Sequence, residues 1–136
     1  MTRANAYKNV QASTASKERL MSLLFEAALR HMRQGRTALE RKDRSSFFTA
    51  MEKASAIVIE LKCTLKHEVA PQLCEQLADI YGFVIGRLVQ AAVKSDVRFI
   101  NEAERAFAPV ADGFIQAAAQ VQGQTAAAVA ASATGR

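Results

Sequence analysis

The sequence predicts an all-α protein: an antiparallel up-down four-helix bundle with a short N-terminal helix capping one end. Three observations carry this. The 136 residues include only 6 Gly and 2 Pro, with both prolines late, at Pro71 and Pro109; a sandwich or barrel with many tight turns needs more of both. Alanine is abundant and β-branched residues are dispersed, which favours helix. Apolar residues recur at three- and four-residue spacing through four long segments. The length suits one domain, and a chain of this size can bury roughly two-thirds of the surface its unfolded form exposes. Half of the residues are apolar and 23% are charged, the balance of a soluble globular chain.

Residues 1–12 are short and weakly periodic, with Tyr7 and Val10 on one side. A helix of two turns is marginal alone and must dock to persist, so this segment is expected to be mobile. Ser16 is a candidate N-cap for the first long helix, with Glu18 placed to suit the helix dipole. Leu20, Leu23, Leu24, Ala27, Ala28 and His31 then follow one face, widened by Met21, Phe25 and Met32. Gly35 and the charged stretch 40–44 lead into a turn, after which Ser45 or Ser46 is expected to cap the second helix. Its stripe runs through Phe47, Ala50, Met51, Ala54, Ile57, Val58, Leu61 and Leu65 until Lys66-His67-Glu68 breaks the pattern. Pro71 fits the first turn of a third helix, where a missing N–H costs nothing; Leu73, Leu77, Ile80, Tyr81, Val84, Leu88 and Val89 give its face. Ser95 or Asp96 caps the fourth, which carries Val97, Ile100, Ala103, Phe107, Val110, Ala111 and Phe114. Pro109 within it predicts a kink or an early end. Residues 116–136 hold nine alanines, two glycines and no charge before Arg136. The expected division is therefore a bundle domain over 1–115 and an alanine-rich, flexible tail over 116–136.

The net charge of +5 is uneven: residues 1–70 carry 13 of the 18 basic side chains and 7 of the 13 acidic ones. Arg30, Arg33, Arg36, Arg41, Lys42 and Arg44 concentrate the excess. Such a patch can be a solvated helix face, or it can serve nucleic acid, an anionic membrane or an acidic protein. No aromatic is interleaved before Phe47, so a single-strand stacking platform is not indicated. Cys63 and Cys74 form neither a CxxC pair nor a zinc pattern and suit a reducing compartment. No secretory h-region and no apolar run near ~20 residues is visible. Membrane insertion is not expected, and the predicted location is cytoplasmic.

The sequence does not propose an enzyme. A di-iron bundle needs Glu-x-x-His on paired helices, whereas Ala28 precedes His31 and Thr64 precedes His67 at that spacing. Walker, dinucleotide and zincin motifs are absent, and neither a metal nor a cofactor is expected. A wide apolar stripe without a catalytic constellation points to recognition of a partner helix in a groove, although core packing would explain many of the same residues.

The pattern Tyr7-x-x-Val10, then Thr14-Ala15-Ser16-x-x-x-Leu20-x-x-Leu23-Leu24-Phe25-Glu26-Ala27-Ala28-Leu29, resembles the flagellin-specific export chaperones, the FliS family. Lys53-Ala54-x-x-Ile57-x-x-x-Leu61-x-x-x-Leu65 and Leu77-x-x-Ile80-Tyr81-x-x-Val84-x-x-Arg87-Leu88 are similar to later family blocks, in the same order. The resemblance spans about residues 7–108. Lys17 stands in place of the family's usual Pro, Phe25 of Tyr, Glu26 of Asp and Ala27 of Gly, and the late Trp is missing; the chain reads as a divergent member. The resemblance implies a cytoplasmic chaperone for flagellar type III secretion. It would bind the C-terminal segment of flagellin in inter-helix grooves, prevent premature polymerisation and aid delivery to the export apparatus, with an export-gate component as a further candidate partner. Carried over by position, the client-binding residues are Tyr7, Thr14, Ala15, Leu20, Leu24, Phe25, Ile57, Leu61, Leu65, Tyr81 and Leu88. The segment carrying Tyr7 is expected to occupy a groove in the free protein and to yield to client. The competing readings are another helical interaction module, such as a phasin-like adaptor, and a basic nucleic-acid-binding helical protein, although nucleic acid is not the expected partner.

Overall fold

The computed structural model describes the backbone of residues 3–134 and the side chains of residues 17–121, 123, 130 and 131. Four helices follow one another: α1 (Arg3–Glu40), α2 (Arg44–Cys63), α3 (Pro71–Lys94) and α4 (Val97–Thr134). They form a closed ring in which α1 packs on α2 and α4, and α3 packs on the same two, while among the described residues the backbones of the diagonal pairs stay apart. Cross-helix contacts run in opposite senses along each neighbouring pair. Arg36 reaches Asn101 while Phe25 reaches Phe114, so α1 and α4 are antiparallel. The short links impose the same relation on the other pairs, giving the expected up-down bundle.

The core is the common side of the four stripes. Phe25, Met32, Phe47, Val58, Leu61, Tyr81, Val84, Leu88, Ile100 and Phe107 are almost wholly enclosed. Phe25 stacks on Phe114 at 5.0 Å and tilts against Phe107 at 5.7 Å, and Phe107 meets Tyr81 at 6.3 Å. This aromatic layer ties α1, α3 and α4 together towards the α2–α3 link. Near the other end, Gly35 lets α1 and α2 approach closely: a Cβ there would stand 2.4 Å from Met51 Cε and 3.3 Å from Ala50 Cβ.

Several local expectations change. The short N-terminal helix is not a separate element, because the backbone is helical from Arg3 straight through 11–16 into the bundle. Lys17, where a proline would have forced a break, leaves the hydrogen-bond ladder intact. Ser16 therefore lies inside α1 and does not cap it. The packing of Tyr7, Thr14, Ala15 and their neighbours, including any occupation of a groove, lies outside the described residues.

The first turn is also different from expectation. Asp43, not Ser45 or Ser46, caps α2: Ser46 N–H donates to Asp43 Oδ1 at 3.2 Å and Ser46 Oγ to Oδ2 at 2.7 Å. These bonds hold the Asp43 carboxyl below the ordinary value. The same residue closes α1, since Asp43 N–H donates to Ala38 O at 2.9 Å and Lys42 N–H to Leu39 O at 3.1 Å. This is a Schellman ending with Lys42 at positive φ. At the α3–α4 turn Ser95 is left-handed and Asp96 accepts from Arg98 N–H at 2.9 Å, so Asp96 takes the capping role. Pro71 begins α3 as expected. Pro109 does not end α4, which continues to Thr134; Ala106, Ala108 and Ala111 around it keep helix propensity high enough to absorb one lost donor. Among the described side chains beyond Ile115, Ala118 alone is buried.

Candidate binding groove

The α2–α3 link departs most from a smooth bundle surface. Thr64 Oγ1 donates to Leu61 O at 2.8 Å and finishes α2. Val69 N–H then donates to Lys66 O at 3.1 Å, and Cys74 Sγ donates to the same carbonyl at 3.3 Å. The link thus folds back on the start of α3. Between the walls lies a groove of about 270 Å³. Met21 and Phe25 come from α1, and Leu61 and Leu65 from the end of α2. Val69, Leu73, Cys74, Leu77 and Tyr81 come from the link and α3, and Phe114 from α4. Thr64 and Lys66 supply most of its polarity.

Two of these side chains lie outside the core altogether: Val69 is 76% exposed and Leu73 53%. Fully burying an aliphatic side chain of this kind contributes about 1.5–3 kcal/mol, so an occupant covering both has substantial apolar area to gain. Tyr81 forms part of the floor at 2% exposure, and burial pushes its phenol up to about 12. No described group hydrogen-bonds its hydroxyl, yet the oxygen is not sealed in the interior. A neutral donor therefore meets the groove, suited to a carbonyl of an incoming backbone.

The structure brings four of the sequence-selected residues into this groove, namely Phe25, Leu61, Leu65 and Tyr81. Phe25 and Leu61 reach it from the core side. Leu20 is exposed at 57%, while Leu24 and Ile57 are half-buried against the core. Leu88 is fully enclosed in the core and does not line the groove. Tyr7, Thr14 and Ala15 have side chains outside the described set. Sequence reasoning missed Met21, Val69, Leu73, Cys74, Leu77 and Phe114 as groove residues. The available signal was Val69 just before Pro71, a large apolar side chain in a link that would ordinarily be polar, followed by Leu73 in the first turn of α3. Further up α3, Phe83, Val89 and Val93 are also exposed, so uncovered apolar surface is not confined to the groove. The two histidines contribute nothing here. His31 Nδ1 is 3.1 Å from Gln34 Oε1 on α1, and His67 is exposed in the link. Cys63 is exposed and Cys74 buried, both as free thiols, so Cys74 alone packs as a small apolar side chain.

Among the described residues no helix is long and apolar enough to cross a membrane. The sequence model of the family described as "Flagellar protein FliS" matches residues 1–121. The chain is 30% identical over 104 residues to the flagellar secretion chaperone FliSB of Pseudomonas aeruginosa, covering 76% of this chain and 82% of that one. It is equally identical over 104 residues to the flagellar secretion chaperone FliS of Salmonella typhimurium, covering 76% and 77%. It is 29% identical over 112 residues to the FliS chaperone of Bacillus subtilis, covering 82% and 83%. With its four-helix architecture and the match along most of its length, the chain belongs to the FliS family of flagellar secretion chaperones, a family of chaperones and not of enzymes.

Proposed function

We propose that this chain is a cytoplasmic export chaperone that holds the C-terminal segment of flagellin. By holding it, the chain prevents premature polymerisation and aids delivery to the flagellar type III export apparatus, with a component of the export gate as second partner. The observation that carries this reading is the groove at the α2–α3 link, where Val69 and Leu73 stand uncovered above a floor containing Tyr81. A segment that polymerises through apolar helix faces is kept monomeric when those faces are covered by another protein. Ordering such a segment costs about 2–5 kcal/mol of the gross contact energy, so one small groove is too little by itself. The exposed Leu20 on α1 and Phe83, Val89 and Val93 on α3 supply the further apolar surface that a wrapped client needs. Leu24, Ile57, Leu61 and Leu65 back that path, and Tyr7, Thr14 and Ala15 are assigned to its α1 end.

Calorimetric titration with purified flagellin, intact and truncated at either end, tests the proposal. The expected result is one-to-one binding that survives removal of the N-terminal segment and disappears with the C-terminal one. Leu73→Glu places a charge on an exposed groove wall without touching the core, and is expected to weaken binding at least thirtyfold with an unchanged melting temperature. Equal binding by both truncations, or full affinity in the Leu73→Glu variant, would overturn the assignment of client and groove.

A further inference from the structure

A second concavity lies away from the apolar groove, between α1 and α2 near their hairpin turn. It encloses about 680 Å³. Its rim is cationic: Arg30, Arg33 and Arg41 project from α1 and its end, and Lys53 from α2. The only carboxylate lining it is Asp43, and both of its oxygens are engaged by Ser46. Arg30, Arg41 and Lys53 form no ion pair with any described carboxylate. Arg33 does form one: its Nε donates to Glu104 Oε1 at 2.9 Å, and Arg36 grips the other oxygen of the same carboxylate. Arg33 is nevertheless 60% exposed and keeps further donors for a second anion.

We propose that this basic groove is a docking site for an acidic amphipathic helix of a partner protein. Three features select that occupant. Charge complementarity requires an anion, and unpaired guanidinium groups favour carboxylates, as the grip on Glu104 already shows within the chain. The buried floor is Ala38 and Ala50, with Thr37 and Thr49 exposed beside them, small side chains that admit another backbone closely. The cations from Arg30 to Arg41 extend over about 16 Å of helix at 1.5 Å per residue, matching carboxylates three and four residues apart along three turns of a facing helix. No Phe, Tyr or Trp lines the groove, and its one ring, the imidazole of His31, lies 3.1 Å from Gln34 Oε1, so it lacks the row of large aromatic side chains on which single-stranded nucleic acid stacks. The site lies at the opposite end of the bundle from the α2–α3 link and does not depend on the flagellin reading.

The test uses the full chain and a fluorescein-labelled 18-residue peptide of alanine and glutamate, with glutamates on one helix face. A scrambled peptide of equal composition and a single-stranded oligonucleotide of equal charge serve as comparators, all read by anisotropy at low salt. The patterned peptide is expected to bind at least fivefold more tightly than either comparator. Arg30→Glu with Lys53→Glu is expected to weaken it at least tenfold. Lys17→Glu with Arg105→Glu, the same charge change elsewhere, is expected to alter it less than twofold, as is Leu73→Glu. All variants are checked by circular dichroism, and these exposed helical positions accept glutamate. Equal binding of the scrambled peptide, tighter binding of the oligonucleotide, or indifference to the Arg30 and Lys53 reversals would each overturn the proposal.

Discussion

The two ends of the bundle are built from the same helices and present opposite chemistry. At the α1–α2 hairpin the chain turns in three residues, and Asp43 both closes one helix and caps the next. The surface beside it is a basic groove. At the α2–α3 end the link is seven residues, α3 starts from Ala70 without a side-chain cap, and the surface is apolar. A tight, fully hydrogen-bonded turn fixes charged side chains in place, as electrostatic recognition requires. A longer link with fewer hydrogen bonds per residue can adjust its apolar side chains to an irregular partner. The contrast separates a preformed surface from an adaptable one within 136 residues.

The strongest way to break that contrast is to loosen the apolar end from inside. Phe25→Ala removes the ring that stacks on Phe114 and tilts against Phe107. It should destabilise the fold by about 3–5 kcal/mol, measured by urea unfolding. A loss below about 1 kcal/mol would mean that this end packs far less tightly than the structure indicates.

Two glycines sharpen the comparison in opposite directions. Gly35→Ala should cost about 1–3 kcal/mol, because the new methyl meets Met51 and Ala50 where α1 and α2 touch. Gly86→Ala on α3 meets nothing within 4 Å and should stabilise by about 0.5–1 kcal/mol. Thermal melts of the two variants should therefore move apart. Equal shifts would contradict the close approach at the hairpin end.

A smaller effect belongs to Glu104. Burial raises its pKa, but hydrogen bonds from Arg33 and Arg36 outweigh burial and hold the carboxyl below its ordinary 4.5. A lowered folded value means that the pair contributes fully above pH 4.5 and fades as the pH falls through the folded value. Glu104→Gln should cost about 1 kcal/mol at pH 7. Its difference from the parent should narrow in acid, as read from urea midpoints across the range. A difference that widens in acid would reverse the assigned sign.

The helices and their core faces were legible because three- and four-residue spacing is a direct imprint of helix geometry. Helix ends were less so. Asp43, Ser45 and Ser46 are all good caps by residue type, and only the backbone selects Asp43. The proline-free run through Ser16 and Lys17 supports helix, whereas the serine alone suggested a start. Groove and core were inseparable by periodicity: Tyr81 and Leu88 share one stripe, yet Tyr81 reaches the groove and Leu88 does not. Val69 joins the groove through the fold of a link that has no period to read, and Leu73, periodic with the α3 face, stands exposed because it lies in the first turn beside that link. Arg30 and Lys53 lie far apart in sequence and meet only because the hairpin folds α2 against α1.

The hydrogen bond from Cys74 to the Lys66 carbonyl gives the apolar end a chemical clock. Cys74 is buried at the groove wall while Cys63 lies open to reagent, so maleimide reaches the first more slowly and the second calibrates the reaction. The ratio of the two labelling rates reports how accessible the buried thiol is in the native chain, and a seated guest registers as a slower tick at one thiol alone.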